Sequence, residues 1–414
     1  MELPKYSIGT GDRFGQQGKA LLNAVMKAAQ EQVDLTIVWN KSEREHEIIG
    51  TEPKDVYIEV QNAVEELNYQ GKYFIDADHI GLSNVDKFIE YSNYFTLDVA
   101  DFIGKSAPKK ELDLFIELCE QYIGEIKIPH INTPLFADSE KIHEIARKYL
   151  VAVKEAGKIY RYIEKRKGKE NFITEVSMDE TDNPQNPLEI FFILYAISEE
   201  NIPIQTIAPK FTGSFFKGID YIGDLTQFST EFKNDLAIIQ FAIKEFGLPQ
   251  NLKLSIHSGS DKFSLYEIIN QSIKKFSTGV HIKTAGTTWL EELKGLALAG
   301  NESLKIVKEI YKKAYKRYEE LATPYSSVIN IEKGALPPPA MVNSWSGKKV
   351  ANRLNHEPKN EVFDKNFRQM LHIAYKIAAE MGKRFINALN SHQDLISEHV
   401  TYNIHEKHIK KIFY

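Results

Sequence analysis

Three histidines stand where the chain passes from apolar to polar: in Tyr73-Phe74-Ile75-Asp76-Ala77-Asp78-His79-Ile80, in Leu252-Lys253-Leu254-Ser255-Ile256-His257-Ser258-Gly259-Ser260, and in Gly279-Val280-His281-Ile282-Lys283. Each is a short β-prone run that delivers an imidazole at or near its end, the first as an adjacent Asp-His pair. Asp76, Asp78, Asp98, Glu175 and Asp220 lie near the ends of such runs or in the loops beyond them. Two or three imidazoles with a carboxylate suit a borderline divalent cation such as Zn, Mn, Fe, Co or Ni. A catalytic site of that kind keeps one or two positions open for substrate. Any one of these histidines reads equally well as a satisfied barrel residue or a turn cap; their recurrence at strand ends is what points to a site. Cations gather in the same loops, with Arg13, Lys210, Lys217 and Lys283, and Gly9-Thr10-Gly11 lets Asp12 and Arg13 reach over a strand end. The Gly-flanked His257-Ser258-Gly259-Ser260 offers backbone N–H groups to a carboxylate or phosphate. Together these features favour a small, anionic, polyhydroxylated substrate.

Such residues need a frame that brings strand ends to one place. Eight short strand candidates occur, around residues 6–8, 34–39, 73–80, 94–98, 171–177, 203–208, 252–256 and 279–286, each followed by a helical stretch. Repeated β then α argues for a parallel sheet, and eight units closing on themselves make an α/β fold of the (β/α)8 TIM-barrel type. In that fold chemistry sits at the C-terminal strand ends. Asp12, Asp78, His79, Asp98, Glu175, Lys210, His257, His281 and Lys283 all fall there or just beyond. A Lys/Glu-rich helical insertion without strand pattern is expected after strand 4, at about residues 104–168. Residues 1–300 are expected to form the catalytic barrel, insertion included, and 301–414 a helical C-terminal extension packed on it. His405 and His408 share a helix face in the tail, which reads as a solvated amphipathic end.

Composition excludes several classes. With 414 residues and a formal net charge of −5, there is no electrostatic case for nucleic acid or an anionic membrane. The single cysteine, Cys119, rules out an internal disulfide and a Cys-based zinc site. Neither a signal peptide nor an apolar run of ~20 residues is present, so a cytoplasmic enzyme is expected. Gly9-Thr10-Gly11-Asp12-Arg13-Phe14-Gly15 has G-x-G-x-x-x-G spacing and no acidic residue follows the second strand at Trp39-Asn40, so no nicotinamide is expected.

Six stretches resemble the tagaturonate/fructuronate epimerase family: Gly9 to Gly15; Ala77-Asp78-His79-Ile80; Phe211-Thr212-Gly213; Lys217-Gly218-Ile219-Asp220-Tyr221-Ile222-Gly223-Asp224; His257-Ser258-Gly259-Ser260-Asp261-Lys262-Phe263-Ser264; and His281-Ile282-Lys283-Thr284-Ala285-Gly286-Thr287. The resemblance implies a metal-dependent epimerase of ketohexuronates. More distantly, Ala77-Asp78-His79 and Ile256-His257-Ser258-Gly259-Ser260 are similar to strand ends of class II metal aldolases. That similarity implies His79 and His257 as metal ligands and Asp78 as a proton carrier. For the third ligand it points to Asp220, with His281 as the alternative. The carbinol to be epimerised is β to both ketone and carboxylate, so neither acidifies its C–H, and retro-aldol cleavage with re-addition is the expected route. Asp78 and Glu175 are the expected proton carriers, and Asp12, Arg13, Lys210, Lys217, Ser258 and Lys283 the expected substrate contacts. The expected partner is a small anionic sugar, in a monomer or an oligomer. A related lyase or isomerase, or a non-catalytic sugar-acid binder, are the other readings.

Overall fold

A computed structural model describes residues 1–179, 181–284 and 286–414. Eight parallel strands close a barrel: β1 (Tyr6–Thr10), β2 (Thr36–Ser42), β3 (Tyr73–Ile80), β4 (Tyr94–Asp98), β5 (Ile173–Ser177), β6 (Thr206–Ala208), β7 (Lys253–His257) and β8 (Val280–Lys283). Each strand pairs with its sequence neighbours, and β1 closes the ring, Ser7 lying opposite both Thr36 and His281. All eight expected strands are present. They were legible because a parallel strand is covered on both faces, by barrel interior and by helices, so its sequence is an apolar run.

Strand side chains alternate between faces, and on β3 the inward set is Phe74, Asp76 and Asp78. The interior is therefore graded along the axis. At the N-terminal end Leu3, Val38, Phe74, Tyr94 and Ile173 make a separate buried cluster. The first residues plug it: the Leu3 amide donates to Gln205 Oε1 (2.8 Å), and Lys253 Nζ donates to the Leu3 carbonyl (3.1 Å). Above that plug the interior is polar and then ionised. Gly9 is needed at this level, since a Cβ there would lie 3.0 Å from Lys283 Cγ, where Lys283 crosses the barrel. Leu3 is fully buried, so Leu3→Ala is expected to cost about 2–5 kcal/mol of stability. Urea unfolding checks this, and an unchanged midpoint would show that the plug contributes nothing.

The segment after β4 differs from expectation. It contains two short antiparallel strands, Gly124–Ile126 and Leu135–Ala137, where only helix was expected. The helix Ser139–Lys167, capped by Asp138 accepting from the Lys141 amide (2.8 Å), packs on β4 and on the helix Pro187–Glu199. It is the barrel's own helix between β4 and β5, so the inserted material stops near residue 138.

Helices after residue 300 pack on those of the barrel. Gly347–Leu354 and Gln393–Tyr402 lie against Thr287–Ala299, and Gln393–Tyr402 also lies against Gly18–Gln30. The tail is not solvated: His405 and His408 are buried, with His408 Nε2 3.3 Å from Asp261 Oδ1. His408 faces a buried carboxylate, which a charge pattern alone does not reveal. Among the described residues no helix is long and apolar enough to cross a membrane.

Candidate active site

Consecutive strand residues point to opposite faces, so Asp78 and His79 cannot both face the mouth of a regular barrel. The chain resolves this with a register shift between β3 and β4 at Ala77–Ile80 and with His79 in the left-handed region, φ 55°. A bulge of this kind re-aims a side chain, and histidine is among the residues that tolerate positive φ best. His79 is thereby turned toward the ends of β5 and β7.

There it meets His257, the last residue of β7, and Asp179, two residues past β5. One ligand atom from each of His79, Asp179 and His257 lies within 4.8 Å of the others. His257 Nδ1 is 3.1 Å from Asp179 Oδ2, and His79 Nε2 is 3.7 Å from Asp179 Oδ1. The two rings are 5.3 Å apart at 62°. His79 Nε2 and His257 Nδ1 are buried without an aligned hydrogen-bond partner. Buried ring nitrogens are rarely left so, and two of them converging with a carboxylate fit a divalent cation.

Each imidazole is held from behind through its other nitrogen. Asp78 Oδ1 lies 2.9 Å from His79 Nδ1, and Glu175 Oε1 lies 2.8 Å from His257 Nε2. A carboxylate on the far nitrogen fixes ring orientation and tautomer and strengthens the ligand. Lys283 joins these two carboxylates and a third: its Nζ lies 2.8 Å from Asp76, 3.0 Å from Asp78 and 3.0 Å from Glu175, and it donates to Thr96 Oγ1 (2.5 Å). Thr96 hydrogen-bonds Asp76 (3.0 Å) and Glu175 (3.2 Å), while Tyr94 donates to the other Glu175 oxygen (2.8 Å).

Burial penalises every charge here, and the partners decide the outcome. For Asp78 burial is outweighed by Lys283 and His79, and for Glu175 by Lys283 and His257, so both carboxyls sit well below the usual range. Asp76 is the exception, pushed up to about 7 by burial against the pull of Lys283. Of the three acids around one ammonium, Asp76 is the one that burial raises. His257 is raised to about 9, burial being overcome chiefly by Asp179 and Glu175.

Asp78, His79, Glu175, His257 and Lys283 are therefore brought together as a unit, and the remaining expected residues lie elsewhere. Asp220 is turned away: its carboxylate accepts from the Ser264 hydroxyl (3.0 Å) and amide (3.2 Å) and from the Tyr221 amide (2.8 Å), at the start of the helix Phe263–Lys275. Asp179, and not Asp220, lies beside His79 and His257. His281 is deeper in the barrel, with Nδ1 2.8 Å from Ser7 Oγ, and burial pushes it down to about 3. Lys283 spends its ammonium on carboxylates rather than on the open mouth. Ser258 Oγ and the Ser258 and Gly259 amides are all turned to the Lys283 carbonyl (2.7, 3.0 and 3.1 Å), so those groups are not offered to a ligand. Asp12 closes its own loop on the amides of Phe14 (3.0 Å), Gly15 (2.9 Å) and Gln17. Lys210 Nζ donates to the Thr181 carbonyl. Arg13 pairs with Glu45 (3.0 Å) and lies 4.1 Å over the Tyr375 ring, and Lys217 Nζ lies 5.6 Å from the Tyr325 ring. Of the resemblance motifs, Ala285 lies outside the described residues.

Asp179 was passed over because it sits in a turn, where no periodicity marks it, beside the acids Glu180 and Asp182. Its one available signal was its place two residues beyond a strand end.

Comparison with known proteins follows the same line. The sequence pattern of a tagaturonate epimerase family matches residues 1–412. A tagaturonate/fructuronate epimerase of Thermotoga maritima is 28% identical over 422 residues, covering 98% of this chain and 79% of that protein. Crystal structures of a fructuronate-tagaturonate epimerase from Cohnella laeviribosi share the fold at 24% identity. The form with one glycerol superposes with a TM-score of 0.81 over 100% of this chain and 82% of that one. The native form gives 0.79 over the same shares.

Proposed function

The chain belongs to the tagaturonate epimerase family, and from that premise we propose that it interconverts D-tagaturonate and D-fructuronate with a divalent cation held between His79, Asp179 and His257. It is an epimerase, an isomerase by class. The observation that supports the metal reading best is the convergence on one carboxylate of two buried imidazole nitrogens that make no aligned hydrogen bond, each imidazole backed by a further carboxylate.

His79 Nε2, His257 Nδ1 and an Asp179 oxygen would hold the cation. Bound there, it would supply Lewis-acid polarisation of the substrate ketone. The chain's own residues handle the proton. Asp78, Asp76 and Glu175 all surround Lys283, but only the Asp78 side chain keeps contact with the mouth, 14% exposed against 0% for the other two. Lys283 and His79 keep it ionised, so it can accept a proton. We assign Asp78 to the carbinol hydroxyl. As that proton leaves, the bond between the carbinol carbon and its neighbour α to the ketone breaks. The electron pair is taken up by the ketone, and the carbinol becomes an aldehyde. Rotation and re-addition to the other aldehyde face, with the proton returned, give the epimer. For Glu175, the second expected proton carrier, full burial and four polar neighbours support a different part: holding His257.

The test is incubation with D-tagaturonate and separation of the products, with and without chelator. D-Fructuronate should form, chelator should stop it, and a divalent metal should restore it. Asp78→Asn should lose about 10²–10⁴-fold in rate. A rate untouched by both chelator and Asp78→Asn would remove the metal and the proton assignment together, and aldehyde fragments as end products would favour a lyase.

A further inference from the structure

The helix Lys365–His372 lies across the catalytic face of the barrel, and its fixings are unusually well defined. Arg368 donates to the carbonyls of Gly218 (2.7 Å) and Leu354 (2.5 Å) and to Asp261 Oδ2 (2.6 Å). Arg13, after β1, donates to the His372 carbonyl (3.0 Å), and Trp289 Nε1 to the Leu371 carbonyl (2.7 Å). These contacts place the His372 ring among the loops that follow β6, β7 and β8. A Cβ on Gly286 would lie 2.4 Å from His372 Nε2, and a Cβ on Gly218 3.5 Å from its Cδ2. The Gly286 amide in turn donates to the Gly259 carbonyl (3.1 Å). Glycine at 286 is what leaves room for the ring.

His372 is 1% exposed, and neither ring nitrogen has a hydrogen-bond partner. An imidazole has one N–H to give and one lone pair to share, and leaving both unused in a dry place is costly unless something else uses them. Its charged neighbours include Arg13 and Arg368, each paired with a carboxylate, Glu45 and Asp261. Burial, with Arg13, Lys217 and Arg368 nearby, holds its pKa well below the ordinary histidine value, so the ring is neutral. Lys262, in the same neighbourhood, gives its hydrogen bonds to neutral oxygens, the carbonyls of Phe216 (3.1 Å) and Ile219 (2.9 Å) and the hydroxyl of Ser260 (2.9 Å). An unused neutral donor with guanidinium groups nearby can receive a carboxylate.

We propose that His372 contacts the carboxylate end of the substrate, so that the C-terminal helix selects a hexuronate over the corresponding neutral ketose. This rests on the epimerase reading above. Ketone and carboxylate stand near opposite ends of the substrate. Gly259, whose carbonyl the Gly286 amide meets beside His372, is two residues past His257, at most about 7 Å of chain, which is within the reach of a six-carbon acid.

The test has two arms on the metal-loaded protein. In the first, calorimetry compares D-galactonate with galactitol on the wild-type chain. The acid should bind at least about tenfold more tightly, and equal affinity would overturn the proposal. In the second, His372→Phe keeps the ring and removes both nitrogens. Its KM for tagaturonate should rise about tenfold or more, with kcat within a few-fold and with metal content and melting temperature unchanged. The acid preference in calorimetry should shrink by the same factor. A folded, metal-loaded His372→Phe with wild-type KM and wild-type acid preference would overturn it. His372→Gln, which retains a donor and an acceptor, should fall between the two and serves if the phenylalanine variant does not fold. If the wild-type chain turns over no uronate, the epimerase reading fails. Acid preference that depends on His372 would then still mark a carboxylate subsite.

Discussion

Asp179→Asn is expected to purify with little divalent metal and to epimerise tagaturonate at least about a thousandfold more slowly than the parent chain. The reasoning is electrostatic. Among the described residues Asp179 brings the one negative charge that faces both His79 Nε2 and His257 Nδ1, and an amide keeps the shape while removing that charge. Losing the Lewis acid removes several kcal/mol of transition-state stabilisation, and each 1.36 kcal/mol is a factor of ten in rate. Elemental analysis of the purified variant and a product-separation assay read the two effects independently. Asp220→Asn is the informative control. Its carboxylate caps a helix start, so metal content and rate should stay within a few-fold while stability falls by about 1 kcal/mol. If the two variants exchanged phenotypes, the third ligand would be Asp220 after all.

Lys283→Met should be the most destabilising single change at the mouth. It leaves Asp76, Asp78 and Glu175 buried around a thioether. Removing one partner of a buried ion pair typically costs about 3–5 kcal/mol, and here one ammonium serves three acids. Metal retention should fall as well, since Asp78 and Glu175 also hold the two imidazoles; loss of such outer support commonly costs about 10–100-fold in metal affinity. Chemical denaturation measures the first effect and competition with a chelator the second. Adding Glu175→Gln to Lys283→Met removes one stranded charge and should recover part of the stability without recovering metal affinity. A Lys283→Met protein as stable as the parent would mean that the three acids are already proton-neutral and need no counter-charge.

The barrel and half of its site could be read from the sequence for identifiable reasons. Buried parallel strands are written as apolar runs, and Asp78, His79, Glu175, His257 and Lys283 interrupt or end those runs with groups that a barrel interior does not otherwise need. Asp179 lies beyond the run, in a turn whose several acids are indistinguishable by spacing. The resemblance to class II metal aldolases points to Asp220, but a carboxylate at that place can equally cap a helix, and side-chain direction decides between the two. His372 shows the larger gap. Helical periodicity tells which face of Lys365–His372 is apolar, but nothing local says which loops that helix will meet, because its fixings at Arg13, Gly218, Asp261 and Trp289 are spread across the chain.

The placement of that helix also sets an order of events during synthesis. The last strand of the barrel ends at Lys283, and the helix that crosses the mouth begins at Lys365. At about 5–20 residues per second the ribosome takes several seconds to make the stretch between them. For that interval the ionised mouth, with both imidazoles and Asp179 already made, has no cover. In the finished protein the His79 and Asp179 side chains are still 23% exposed, so docking of Arg368 on Asp261 leaves a solvent route to them open.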